Sequence, residues 1–406
     1  MLKRNFINNV KRGLGSAFIE LSNAINKEEY KESLVYCITH DCTYDFIYEG
    51  SKGDYIYRLI NLYEEKSYFI DLVKKTLLTI KSYSNLHEQL LDILMEDYYS
   101  GNKDIKKFFE DYYFHFINNG RWTKNKINSF NYLSIKMSQL FGIRKVKDIV
   151  ADWKKLNINI EDHWFGYHVS EKYRKYDLVN IKSEIETNNK YNHTFEEFLE
   201  LIKKEKFVYC FGCFTTEEEH KKCMDYLKTS NDSITVEKIL KNYENMIVHC
   251  HKMIDIEVLF SLINKFNDDI NESIYSTLSY YKDERVVTIA FELANTKYYK
   301  IAIHMLMTNY KKEYKDIIIS LYKKVKFSFN SYESLTSDVI DFMMNKKKDM
   351  PDEILYITYY NDYCAFNREY IVKCMNKRNL LIDSIKEELH YDSDYEIRRY
   401  ASRYIK

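Results

Sequence analysis

Asp283-Glu284-Arg285-Val286-Val287-Thr288-Ile289-Ala290 is the stretch that decides the fold, because it returns near the end of the chain as Asp394-Tyr395-Glu396-Ile397-Arg398-Arg399-Tyr400-Ala401. In both copies an acidic residue is followed three positions on by a β-branched residue and seven positions on by alanine. Looser copies start at Asn271, with Ile274 and Leu278, and at Asn367, with Tyr370 and Cys374. The physical reading is a helix capped by the Asp or Asn, a core contact at the third position, and a small residue at the seventh that lets a neighbouring helix approach closely. A helical hairpin of this kind cannot bury its apolar face alone, so each is expected to stack on the next.

Helical spacing extends well beyond these frames. Phe69, Leu72, Val73, Leu77 and Ile80 fall on one face, as do Leu86, Leu90, Ile93 and Leu94, and strand-like alternation is hard to find. The chain has one proline, Pro351, and nine glycines in 406 residues, so the punctuation that sheets and long loops need is nearly missing. Polar clusters such as Ser100-Gly101-Asn102, Asn118-Asn119-Gly120, Thr187-Asn188-Asn189 and Thr229 to Ser233 separate segments of one or two helices. Thr194 before Phe195-Glu196-Glu197 has the pattern of a helix cap. The expected class is all-α, an α-α superhelix, with regions 1–190 and 191–406 stacked continuously.

The repeated frame, with Asp392-Ser393-Asp394-Tyr395-Glu396-Ile397-Arg398-Arg399, resembles the HEAT repeat, best over about residues 235 to 406. Gly13-Leu14-Gly15, His40, Tyr44-Asp45 and Glu49-Gly50 before Tyr55-Ile56-Tyr57 resemble the start of bacterial HEAT-repeat proteins. What the resemblance implies is a helical-repeat solenoid; it carries no activity. In that family a Cys-Ser-x-Cys-Arg-Glu stretch precedes the last hairpin. Here it reads Cys364-Ala365-Phe366-Asn367-Arg368-Glu369, and the missing second cysteine removes the basis for a thiol or metal role there.

Composition narrows the function classes. Lys plus Arg equal Asp plus Glu at 61 each, so no global field draws the chain to nucleic acid or acidic lipid. No run of eighteen apolar residues exists, and the basic start Met1 to Phe6 leads into polar sequence, so neither a membrane span nor a secretory signal is expected. Eight scattered cysteines suit free thiols in a reducing cytoplasm. Walker A, dinucleotide-glycine, HExxH and G-x-S-x-G patterns are missing, and no cofactor is expected.

Three groups of residues could carry chemistry. His40, Asp45 and Glu49 lie in a glycine-containing stretch where Lys52 and the backbone of Gly50 and Gly53 could meet an anion; the competing reading is a long inter-helix turn with Asp45 as a cap. Cys210, Cys213, His220 and Cys223 offer four soft ligands for zinc, against a reading as free packing cysteines. From 121 to 155, Arg121, Lys124, Lys126, Lys136, Arg144, Lys145, Lys147, Lys154 and Lys155 face only Asp148 and Asp152, with Trp122 and Trp153 interleaved. Such a stretch could meet phosphates and stack on bases, or could be a solvated helix face. In architecture only, this resembles the HEAT-like alkylpurine DNA glycosylases, with Asp152 and Trp153 in the parts those enzymes give to Asp and Trp. The leading expectation is a cytoplasmic scaffold that binds a protein partner on its concave surface through exposed aromatic and Arg side chains. Nucleic-acid binding through 121–155 is the alternative.

Overall fold

The computed structural model describes residues 2–44, 49–80, 85–176, 178, 192–204, 213–214, 216–250, 253–327, 339–340 and 351–405. The class is all-α, as the spacing indicates. The one sheet among the described residues is a two-residue parallel ladder, Asn192–His193 against Cys213–Phe214. No helix of the described residues is long and apolar enough to cross a membrane.

The chain divides into two compact units. The first gathers residues 1–182, 327–333 and 358–406; the second gathers 183–326 and 334–357. The sequence places residues 358–406 with the C-terminal repeats in a 191–406 region, but in the structure they pack with the N-terminal part. The reason is polar as much as apolar, and it lies in a buried clasp. Thr187-Asn188-Asn189 lies outside the described residues.

Within the first unit, a series of helices packs each on the next of the series. Leu2–Arg12 meets Glu28–Thr39, which meets Gly53–Ile60, then Asn85–Tyr99, Lys124–Phe141 and Trp164–Lys172 in turn. Phe6, Leu34, Ile56, Leu90, Phe130 and Trp153 belong to the continuous core this creates. The second unit repeats the pattern from Phe195–Lys203 through Ser233–Cys250 and Asp268–Leu278 to Tyr299–Thr308. Thr194 starts that unit's first helix with a reciprocal cap: its Oγ1 accepts the Glu197 N–H while Glu197 accepts the Thr194 N–H.

The repeated frame acts as its spacing predicts in its two best copies. Asp283 accepts the Arg285 N–H at 2.8 Å and Asp394 accepts the Ile397 N–H at 3.0 Å, while Val286, Ala290, Ile397 and Ala401 are all fully buried. The looser copies are corrected. Asn271 sits inside the helix Asp268–Leu278, whose cap is Asn267, and Asn367 sits inside Ala365–Lys377 with Tyr370 exposed.

The clasp joins the two ends of the first unit. Arg368 is 0% exposed and donates from Nε and Nη2 to the two carboxylate oxygens of Asp392, both at 2.9 Å. Its Nη2 also reaches the Gly13 carbonyl at 3.3 Å, which accepts the Ser393 N–H at 2.8 Å. Gly13 has φ +74°, and a Cβ there would collide with the Ser393 side chain, so glycine is required twice over. Arg58 donates to the Tyr391 and Asp392 carbonyls, and Arg398 bridges Asp392 and Ser393 carbonyls to Asp54. Beside them Glu388 accepts from Tyr359 Oη at 2.6 Å and from the Ser16 N–H at 3.1 Å.

Candidate interaction surface

Two helices of the first unit present an exposed face of aromatic and cationic side chains. Ala365–Lys377 is started from both sides: Asp362 accepts the Cys364 N–H, and Glu49 Oε2 accepts the Ala365 N–H at 3.1 Å. Its Ile371, Val372 and Met375 go to the core, which turns Phe366, Tyr370 and Lys377 outward. Tyr395–Tyr404 buries Ile397 and Ala401, leaving Tyr395, Arg399, Arg403 and Tyr404 exposed. The two helices pack on each other, pinned by Asn376 Nδ2 donating to Tyr400 Oη at 2.9 Å.

Between them lies a cleft of about 320 Å³ lined by Glu369, Lys373, Lys377, Glu396, Arg399, Tyr400, Arg403 and Tyr404. Lys373 is bonded to Glu369 at 2.5 Å, which raises its pKa, and lies 5.9 Å from the Tyr370 ring. Arg399 pairs with Glu396 and stands 6.0 Å from the Tyr395 ring. Lys377 and Arg403 are exposed and make no ion pair among the described residues. Two positive charges therefore remain for an outside group, beside the Tyr400 and Tyr404 rings at 4.9 Å from each other.

The residues singled out from sequence are dispersed. His40 ends the helix Glu28–Thr39, its exposed ring stacked on Tyr36 at 4.0 Å and its Nδ1 against the Tyr36 carbonyl. Glu49 is a buried structural group: it pairs with buried Lys52 at 2.8 Å, accepts the Tyr44 N–H and caps the helix at Ala365. No described contact joins His40 to Glu49, and Asp45 lies outside the described residues. Cys210 also lies outside them, and Cys213 is placed only by its backbone in the short ladder. Cys223 is fully buried, and burial pushes its thiol up to about 12, away from the thiolate that metal binding uses. His220 is half-buried, its ring 5.9 Å from that of Tyr243. Among the described residues no three His, Cys, Asp or Glu are arranged to hold a metal.

The basic stretch is likewise corrected in its aromatic parts. Trp153 is 0% exposed, stacked on Phe130 at 4.9 Å and donating to Ser134 Oγ, so it offers no face to a base. Trp122 is half-buried and packs on Phe116 and Phe130. Asp152 accepts from Tyr113 Oη at 3.0 Å and pairs with Lys155, and Lys145 lies over the Tyr113 ring at 4.8 Å. Arg121, Lys124, Arg144 and Lys147 are exposed. The tryptophan that does face solvent is Trp164, 76% exposed and 6.1 Å from the Tyr167 ring.

A further cluster has no precedent in the sequence reading. Asp92 accepts from Tyr132 Oη at 2.7 Å and from Ser51 Oγ, and pairs with Lys136 at 2.5 Å. One turn earlier, Glu88 has a buried Oε2 with no hydrogen-bond partner, and burial together with the Asp92 charge pushes its carboxyl up to about 8. A carboxyl raised above its unfolded value stabilises the fold fully below about pH 4.3, and this contribution is lost as the pH rises through about 8. Glu88→Gln is therefore expected to melt higher than the parent at pH 9 and to flatten the fall in stability between about pH 4.3 and 8. Melting curves at pH 5, 7 and 9 check this, and an unchanged pH dependence contradicts it.

No family model, curated protein or solved structure matches this chain.

Proposed function

We propose that the chain is a helical-repeat interaction scaffold of HEAT-like type, acting in the cytoplasm, whose recognition surface is the face made by Ala365–Lys377 and Tyr395–Tyr404. The observation that carries this reading is the cleft where unpaired Lys377 and Arg403 stand beside Tyr400 and Tyr404. Tyrosine and arginine are the residue types that concentrate binding energy at protein interfaces. The charge left over is positive, so the complementary occupant is an acidic segment of a partner protein, with apolar side chains for the exposed rings of Tyr370, Tyr395 and Tyr404.

A fluorescein-labelled peptide alternating Glu and Leu tests this by anisotropy titration, with an alternating Lys and Leu peptide as control. Saturable binding of the acidic peptide alone is expected, weaker at high salt. Replacing Lys377 and Arg403 together by Ala is expected to weaken it by about tenfold or more, since charge-assisted contacts contribute about 1.5–3 kcal/mol each. Equal binding of both peptides, or an unaffected double variant, contradicts the assignment.

The exposed Trp164 and Tyr167, together with Arg121, Lys124, Arg144 and Lys147, support nucleic-acid binding as the second reading. A gel shift with single-stranded DNA at two salt concentrations, sensitive to Trp164→Ala, would favour it over the first.

A further inference from the structure

The helix Glu28–Thr39 ends in a pair of thiols. Cys37 lies in its last turn and Cys42 just past its end, and both side chains are 0% exposed. The Cys42 S–H points back at the helix end, 3.6 Å from the Cys37 carbonyl and 3.6 Å from that of His40. The two thiols are also hydrogen-bonded to each other, and this contact, with burial second to it, holds the proton on Cys37 well above the usual thiol range. The Lys11 ammonium acts on the pair in the opposite sense, in favour of a thiolate.

The turn is pinned from the helix Asn85–Tyr99. Gln89, 0% exposed, accepts the Cys42 N–H on Oε1 at 3.0 Å, and its Nε2 donates to the Cys37 carbonyl at 2.9 Å and to the His40 carbonyl at 3.2 Å. Cys42 is thereby held against Cys37, so a sulfur–sulfur bond can form without long-range movement of the chain. Both carbonyls that the Cys42 S–H approaches already have an amide donor. Loss of that S–H therefore strands no buried acceptor, and the oxidised turn keeps its hydrogen bonds.

We propose that Cys37 and Cys42 are a site of reversible oxidation, closing a disulfide when the protein meets hydrogen peroxide. Cys37 keeps its proton, which gives Cys42 the part of the nucleophile. Its thiolate, formed by giving a proton to water, attacks a peroxide oxygen; the O–O bond breaks, hydroxide leaves and takes up a proton, and Cys42 becomes a sulfenic acid. The Cys37 sulfur then displaces the sulfenic hydroxyl, which leaves as water with the Cys37 proton. Two thiols and one peroxide thus give one disulfide and two waters, the two sulfurs losing the two electrons that peroxide gains. Because both thiols are buried, peroxide reaches them when the turn opens locally, and Gln89 governs how often it does.

Mass spectrometry of the full chain, treated with hydrogen peroxide, alkylated in denaturant and digested with trypsin, tests the assignment. Tryptic peptide 32–52 holds both cysteines and no others. It is expected to appear unalkylated and lighter by two hydrogens after peroxide, and doubly alkylated once dithiothreitol has been added. Cys374, half-buried on Ala365–Lys377, reports oxidation by exposure alone. In Cys42→Ser the Cys37 thiol is expected to stay alkylatable, and Gln89→Leu is expected to speed disulfide formation by about fivefold or more, as the loss of about one net hydrogen bond implies. A peptide 32–52 that remains doubly alkylated while Cys374 is oxidised overturns the proposal. So does a Cys37 that oxidises equally fast in Cys42→Ser, because the pair would then play no part.

Discussion

Replacing Arg368 by Met is expected to destabilise the protein by about 3–5 kcal/mol, the range for breaking a buried ion pair from one side. Arg368 and Asp392 are both fully buried, so the substitution leaves the Asp392 carboxylate without its bidentate partner and out of water. The Gly13 carbonyl loses a donor at the same time. The double variant Arg368→Met with Asp392→Leu removes the stranded charge and is expected to recover part of the loss, although the Asp394 N–H then lacks its acceptor. Urea unfolding of the four members of this cycle checks both statements. A loss below about 1 kcal/mol for the single variant would show that the two chain ends do not depend on this pair.

The second large effect concerns Trp153. Truncation to Ala is expected to cost about 3–5 kcal/mol, because the indole fills the space between Phe130 and Phe165 and its Nε1 donates to Ser134. Trp164→Ala, at a mostly exposed ring, is expected to stay within about 0.5 kcal/mol of the parent. Thermal or urea melts of the two variants separate a core tryptophan from a surface one. Equal effects would contradict the placement of both.

The same pair of residues shows what the sequence made legible. The helical class follows from apolar spacing and from the scarcity of proline and glycine, and the structure has that class. Trp153 follows Val146, Ile149 and Val150 at i+7, i+4 and i+3, so its place on the apolar stripe was readable, whereas the flanking Lys154 and Lys155 lie off that stripe. Trp164 precedes Phe165 and Val169, which hold the buried side of its helix, and is thereby turned outward. The frames at Asp283 and Asp394 were legible because cap, core residue and alanine lie within one helix. The clasp was not. Gly13, Arg58, Arg368 and Asp392 are brought together across more than three hundred residues, and no local periodicity encodes that closure. Glu49 misleads for the same reason: its partner helix begins at Ala365, and an isolated acid beside glycines gives no hint of a distant N-terminus.

Hydroxyl-radical footprinting of tyrosines, with and without the alternating Glu and Leu peptide, tests the placement of the recognition surface most directly. Protection of Tyr370, Tyr395 and Tyr404, with Trp164 and Tyr167 still oxidised at their free rates, is the predicted result. Protection at Trp164 and Tyr167 with the three tyrosines unchanged would contradict it and transfer recognition to the helix Trp164–Lys172.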